Sequence, residues 1–257
     1  MTILCYHSVQ PRWESPLAVE PDAFAWQAAW LRRKRDVLPL AEALPRLDAT
    51  GRLPRGAAAL TFDDGFSALH DQVLPVLTRH RLPATVFLVA QTLTPQGQPV
   101  DWVDTPGPEP LSTLTLDQIL EMQDAGVDFQ SHSWAHHDLT RLSEDECVRD
   151  LRDSRELLSD LLDRRVTLLA YPRGRHSSHV RRAAARAGFS YSFTLPEEAE
   201  QPNEHAIPRV GIFRGNGPLT MRMKAARPYV RVRTSAAVSV GAPRVKRAAR
   251  KLPLPGR

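Results

Sequence analysis

Residues 59–70 read ALTFDDGFSALH. A β-favouring run, Leu60, Thr61 and Phe62, delivers two adjacent carboxylates, Asp63 and Asp64, and stops at Gly65. Side chains along a strand alternate faces, so neighbouring acids within one would point apart. Where a strand ends that alternation lapses, and a glycine frees the backbone to turn both acids toward one side. The stretch predicts a buried strand whose C-terminal end carries chemistry, as in α/β folds built on parallel strands.

The flanking sequence supplies the same alternation. TILCYH (2–7), AAALTFDD (57–64), ATVFLVA (84–90), VDFQSH (127–132), VTLLAY (166–171) and FSYSFTL (189–195) read as strands, and AIPRVGIF (206–213) as a last extended segment. Helices are expected over 21–35, 68–80, 115–126, 143–165 and 179–188. Pro75 is expected to kink the second, and Ser143 with Glu146 to form a capping box on the fourth. Alternating elements predict parallel strands joined by crossover helices. A loop rich in Pro, Gly and Thr, residues 91–113, is long enough to expect a functional role.

Composition bounds the function. A chain of 257 residues that is 42% hydrophobic and 25% charged suits one large globular domain. No apolar run reaches membrane-spanning length, and MTILCYHSVQP lacks the basic start of a signal peptide, so a cytoplasmic location is expected. Two cysteines make no disulfide framework. Residues 222–257 hold eleven Lys and Arg and no acid. Of the chain's 34 basic residues, 23 are left in residues 1–221 against 29 acidic ones, a net charge of −6. The body is therefore not expected to bind nucleic acid. The expected division is a domain over 1–221 and a basic, Pro-interrupted extension over 222–257, suited to the surface of an anionic membrane.

The polar residues fall at the strand ends. TILCYH ends at His7, LTFDD at Asp63 and Asp64, VDFQSH at His132 with His136 shortly after, and LLAY at Tyr171, followed by Pro172 and Arg173. One carboxylate with two imidazoles suits Zn²⁺ or a similar divalent ion, and a second carboxylate beside it can act as general base.

LTFDDGF, SHSWAHHDLTRLS and AYPRGRHS, in this order, resemble the motifs of the polysaccharide deacetylases of carbohydrate esterase family 4, the NodB-homology domain. The resemblance spans about residues 2–213. It implies a distorted (β/α) barrel of about seven parallel strands that hydrolyses an N-acetyl group on an N-acetylated glycan or lipid-linked sugar. By resemblance Asp63 is the general base, and Asp64, His132 and His136 bind one divalent ion, Zn²⁺ first, with Ni, Co or Fe also admitted. Two departures stand out. The family's third motif carries an arginine that orients the base, but that position is Ala170 here, so Arg173 becomes the candidate, with a backbone N–H beside it for the oxyanion. The family's late Leu-x-His is missing, and ILCYH resembles a permuted subgroup in which the first strand supplies the acid. His7 is therefore the expected general acid, with His137 as a second candidate for that role or for a ligand. Tyr171, Pro172 and Trp134 are the expected substrate contacts. Hydrolysis of a non-sugar or cyclic amide, and an inactive glycan-binding protein, are the alternatives.

Overall fold

In the computed structural model, TILCY at Thr2–Tyr6 (β1) is buried along its whole length, as a strand covered on both faces must be. The structure describes residues 1–50, 54–107, 109–196, 203–226 and 229. Five further parallel strands follow: β2 (Ala57–Phe62), β3 (Ala84–Leu88), β4 (Asp128–Ser131), β5 (Leu168–Ala170) and β6 (Tyr191–Thr194). They lie side by side in the order β6-β5-β4-β3-β2-β1. The extended segment that follows splits into β7 (Ile207–Pro208) and β8 (Val210–Gly211), separated by Arg209 alone. β7 pairs with β6 and β8 pairs with β1, so one segment joins the two edges and brings the sheet round into a barrel of seven strand positions.

The two-residue period of a strand then assigns every side chain to the inside or the outside. Leu4, Tyr6, Leu60, Phe62, Val86 and Leu88 face outward into the main core under the helices, whereas Ile3, Ala59, Phe87, Ala170, Phe193 and Ile207 fill the barrel interior. Cys5 and His7 continue the inward row of Ile3. Thr61 and Asp63 continue that of Ala59, and Arg209 that of Ile207.

The crossover helices are α1 (Pro21–Lys34), α2 (Leu74–His80), α3 (Leu116–Asp124), α4 (Glu144–Leu162) and α5 (Ser178–Arg186). The capping box expected at Ser143 and Glu146 is present, and Thr115 with Gln118 forms another. Where Pro75 was expected to kink a single helix, the chain instead makes a π turn over Leu69–Val73 before α2 begins, with the Leu74 N–H reaching back to the Leu69 carbonyl. The wider turn leaves Pro75, which has no N–H to give, in the first turn of α2. A last helix, α6 (Pro218–Lys224), runs across the boundary expected at 221, with Met221 and Ala225 buried against the barrel. Nearly all of the basic extension beyond it lies outside the described residues.

Phe62 stacks on Tyr6 at 5.3 Å and meets the edge of Phe24, from α1, at 5.8 Å. This trio clamps the first helix onto the two central strands. Phe62→Ala is expected to cost about 3–5 kcal/mol, read as a lower midpoint in urea unfolding with unchanged slope.

Candidate active site

Asp63 stands just past β2, with its backbone N–H bonded to the Tyr6 carbonyl. Its carboxylate is gripped by Arg209, whose Nη1 and Nη2 donate to Oδ1 and Oδ2 at 2.7 Å each. Both residues are fully buried. The guanidinium also donates to Thr61 Oγ1 at 3.2 Å, and it lies 5.3 Å and 6.0 Å from the ring centres of Phe87 and Phe193. Burial raises the pKa of Asp63, but the charge of Arg209, the neighbouring His132 and the two N–H bonds together hold it well below the usual carboxylate range.

The next residue behaves oppositely. Asp64 adopts a left-handed backbone, φ 69°, as do Ser133, His136 and Arg173. The turn expected from Gly65 is thus begun by the aspartate itself. Such conformations in non-glycine residues cost about 1–3 kcal/mol each and cluster where a site needs them. The turn carries the Asp64 carboxylate to within 3.6 Å of His132 Nε2 and 3.4 Å of His136 Nε2. Trp102 Nε1 donates to the same oxygen at 3.1 Å. Burial and the charge of Asp63 push the pKa of Asp64 up to about 8.

Both imidazoles are shaped as ligands. His132 closes β4, and its Nδ1 lies 2.8 Å from the Ala170 carbonyl, which fixes the proton there and leaves the Nε2 lone pair free. His136 is placed by the tight turn of SHSWAH, in which Ser133 Oγ accepts its backbone N–H at 3.2 Å. Burial lowers the pKa of His132 and takes that of His136 down to about 2. Two imidazoles whose pKa values burial lowers, beside a carboxyl whose pKa burial and Asp63 raise, fit a divalent ion with N/O preference. The ligand atoms of the three lie within 4.8 Å of one another.

The other sequence-predicted residues divide. His7, just past β1, lines a cleft of about 220 Å³ together with Asp64, His136, Trp102, Arg173 and Phe213. Burial takes the pKa of His7, the expected general acid, down to about 4. Arg173 does not reach Asp63. It pairs with Asp104 at 3.2 Å and donates to the Trp102 carbonyl at 2.7 Å, forming the cleft wall. His137 is exposed and stands outside the ligand cluster. Tyr171 is buried, donates to the His205 carbonyl and stacks on His176. Pro172 is buried, and Trp134 packs against the main core. None of these three lines the cleft among the described residues. Sequence reasoning missed Arg209 and Trp102. The signal for Arg209 was a lone arginine inside the apolar run AIPRVGIF, and that for Trp102 was an indole within the long loop.

A family model described as "Polysaccharide deacetylase" matches residues 50–192, more than half of the chain. The poly-beta-1,6-N-acetyl-D-glucosamine N-deacetylase of Staphylococcus epidermidis is 26% identical over 207 residues, covering 75% of this chain and 67% of that one. The Streptococcus pyogenes deacetylase PplD, solved in complex with acetate, superposes with a TM-score of 0.75 at 25% identity over 88% of this chain and 98% of that one. IcaB from Ammonifex degensii shares the fold, with a TM-score of 0.71 at 24% identity over 91% of this chain and 97% of that one.

At pH 7 an ion entering between Asp64, His132 and His136 must expel the Asp64 proton, whereas the imidazoles are already neutral. Affinity is therefore expected to rise with pH up to about 8, with about one proton released per ion, read by calorimetry in buffers of different ionisation enthalpy. His132→Ala is expected to abolish stoichiometric metal, and full occupancy in that variant would overturn the ligand assignment.

Proposed function

The chain belongs to the polysaccharide deacetylase family, and we propose that it removes N-acetyl groups from an N-acetylated glycan by metal-dependent hydrolysis. One observation carries this reading. Of two adjacent carboxylates, Arg209 holds one ionised, while the other meets two neutral imidazoles at the mouth of a single cleft. The relatives that act on poly-beta-1,6-N-acetyl-D-glucosamine support a polymer of N-acetylglucosamine as the substrate.

A divalent cation at Asp64, His132 and His136 supplies Lewis acidity toward water and the acetyl carbonyl when bound. Asp63, kept ionised by Arg209, accepts the proton of the attacking water. The backbone N–H at Arg173, where the chain turns left-handed beside the cleft, offers a donor to the oxyanion. His7 rests neutral, so its task is to relay a proton rather than to store one. It takes the water's proton from Asp63 and passes it to the leaving amine as the C–N bond breaks, giving acetate and a free amino sugar. The Arg173–Asp104 pair and Trp102 keep the wall of the cleft in place around the acetyl group.

The basic tail has a proposal of its own. Eleven Lys and Arg without an acid, next to Leu219 and Met223 exposed on α6, suit an anionic membrane on the cytoplasmic side. Co-sedimentation with anionic vesicles by the full chain, much weaker for a chain ending at residue 229, which keeps Arg222, Lys224 and Arg227 and loses the other eight, checks it, and equal partitioning of the two would remove it.

Acetate release from poly-β-1,6-linked N-acetylglucosamine, chito-oligomers and lipid-linked N-acetyl sugars tests the activity. Glycan binding without acetate from any metal-loaded sample would favour the inactive homologue, and turnover confined to cyclic amides the other alternative. Asp63→Asn is expected to lose about 3–5 kcal/mol of transition-state stabilisation and to keep its metal. Loss of metal together with activity would reverse the roles of the two aspartates. His7→Ala should lower kcat by about 10²–10⁴ at unchanged metal content, and near-normal turnover would remove His7 from the mechanism.

A further inference from the structure

A second group of ligand atoms lies beside the first. Cys5 and His7 sit two residues apart at the end of β1, on the inward face, and the parallel register of β1 with β2 sets Asp63 next to them. Cys5 Sγ donates to Asp63 Oδ2 at 3.3 Å. One ligand atom from each of Cys5, His7 and Asp63 falls within 4.8 Å of the other two. The edge of a tetrahedral zinc site with sulfur and nitrogen ligands is roughly 3.5 Å, so small side-chain movements close the cluster. His7 Nδ1 is buried and makes no hydrogen bond among the described residues. His7 also lines the cleft, which gives an ion its entry path and its open fourth position.

We propose that Cys5, His7 and Asp63 form a second, inhibitory site for a thiophilic divalent cation such as Zn²⁺, Co²⁺ or Cd²⁺. Filling it is a ligand exchange without any change of oxidation state. The Sγ–H proton leaves to solvent, and Sγ, an imidazole nitrogen and a lone pair of Asp63 Oδ2 bind the ion, while Arg209 keeps its hold on the carboxylate. Arg209 opposes the approach of a dication, and the thiol, whose pKa burial raises well above its usual value, must give up its proton. The site therefore fills only after the Asp64 site and needs metal in excess. Inhibition rests on the proposed roles of Asp63 as base and His7 as proton relay, both of which the ion takes away. The binding itself does not depend on those roles. Thiolate selects soft ions, so Mg²⁺ and Mn²⁺ in the same excess leave the protein active.

The test begins with protein carrying one equivalent of Co²⁺, titrated with a second. A thiolate-to-cobalt charge-transfer band in the near ultraviolet, growing with the second equivalent, is expected in the native protein and in Cys147→Ala. It is expected to be absent in Cys5→Ala and in Cys5→Ser, which keeps a donor to Asp63. The excess Zn²⁺ that halves the rate, relative to each protein's own uninhibited rate, should rise at least about tenfold in the Cys5 variants. No band at two equivalents, or a band that survives both Cys5 substitutions, would overturn the site. The band reads ligation whether or not the chain proves to be a deacetylase. A failed activity assay with an intact band therefore speaks against the function alone.

Discussion

The ion pair between Arg209 and Asp63 ties the architecture to the chemistry. Arg209 is the one residue between β7 and β8, the segment that joins the two edges of the sheet. Its guanidinium can meet Asp63 through two N–H bonds only if the barrel is closed. A buried ion pair is weak support for stability, because desolvation cancels much of its attraction. Here the two N–H bonds and the flanking rings of Phe87 and Phe193 offset that cost. What the pair secures is a carboxylate that stays ionised inside a barrel, as a general base requires.

The adjacent acid follows the opposite logic. Burial and the charge of Asp63 outweigh the pull of Arg173 and Arg209 and push the pKa of Asp64 up to about 8. Two neighbours in sequence thus differ in charge state because the left-handed turn at Asp64 sends them to different surroundings. Asp63 meets a guanidinium, with His132 4.0 Å away, and Asp64 meets His132 and His136 more closely. A divalent ion bound there, as proposed, would relieve the second carboxyl while Arg209 keeps the first. The strain held at Asp64, Ser133 and His136 is what places these groups, and the surrounding core supplies the stability to hold it.

The wall of the site comes from the long loop. Trp102 donates to Asp64 and stacks on the His136 ring at 5.2 Å. Arg173 is anchored to the same loop through Asp104 and the Trp102 carbonyl. Arg173 therefore braces the loop that packs over Asp64 and His136. In the proposed mechanism the work of orienting the base falls to Arg209.

Much of this was legible in the sequence, because it rests on local rules. Strand and helix periods, the capping box at Ser143 and the delivery of His7, Asp63, Asp64 and His132 to strand ends each depend on a few consecutive residues. Parallel α/β topology follows from their order. The sequence could not show which guanidinium meets Asp63, since Arg209 lies 146 positions away and arrives only when the last segment closes the barrel. Nor could it show that Trp102 donates to Asp64, that Tyr171 turns away from the cleft, or that burial lowers the pKa of His7. Those facts depend on which groups share a buried volume, and burial and proximity between distant segments are properties of the closed barrel.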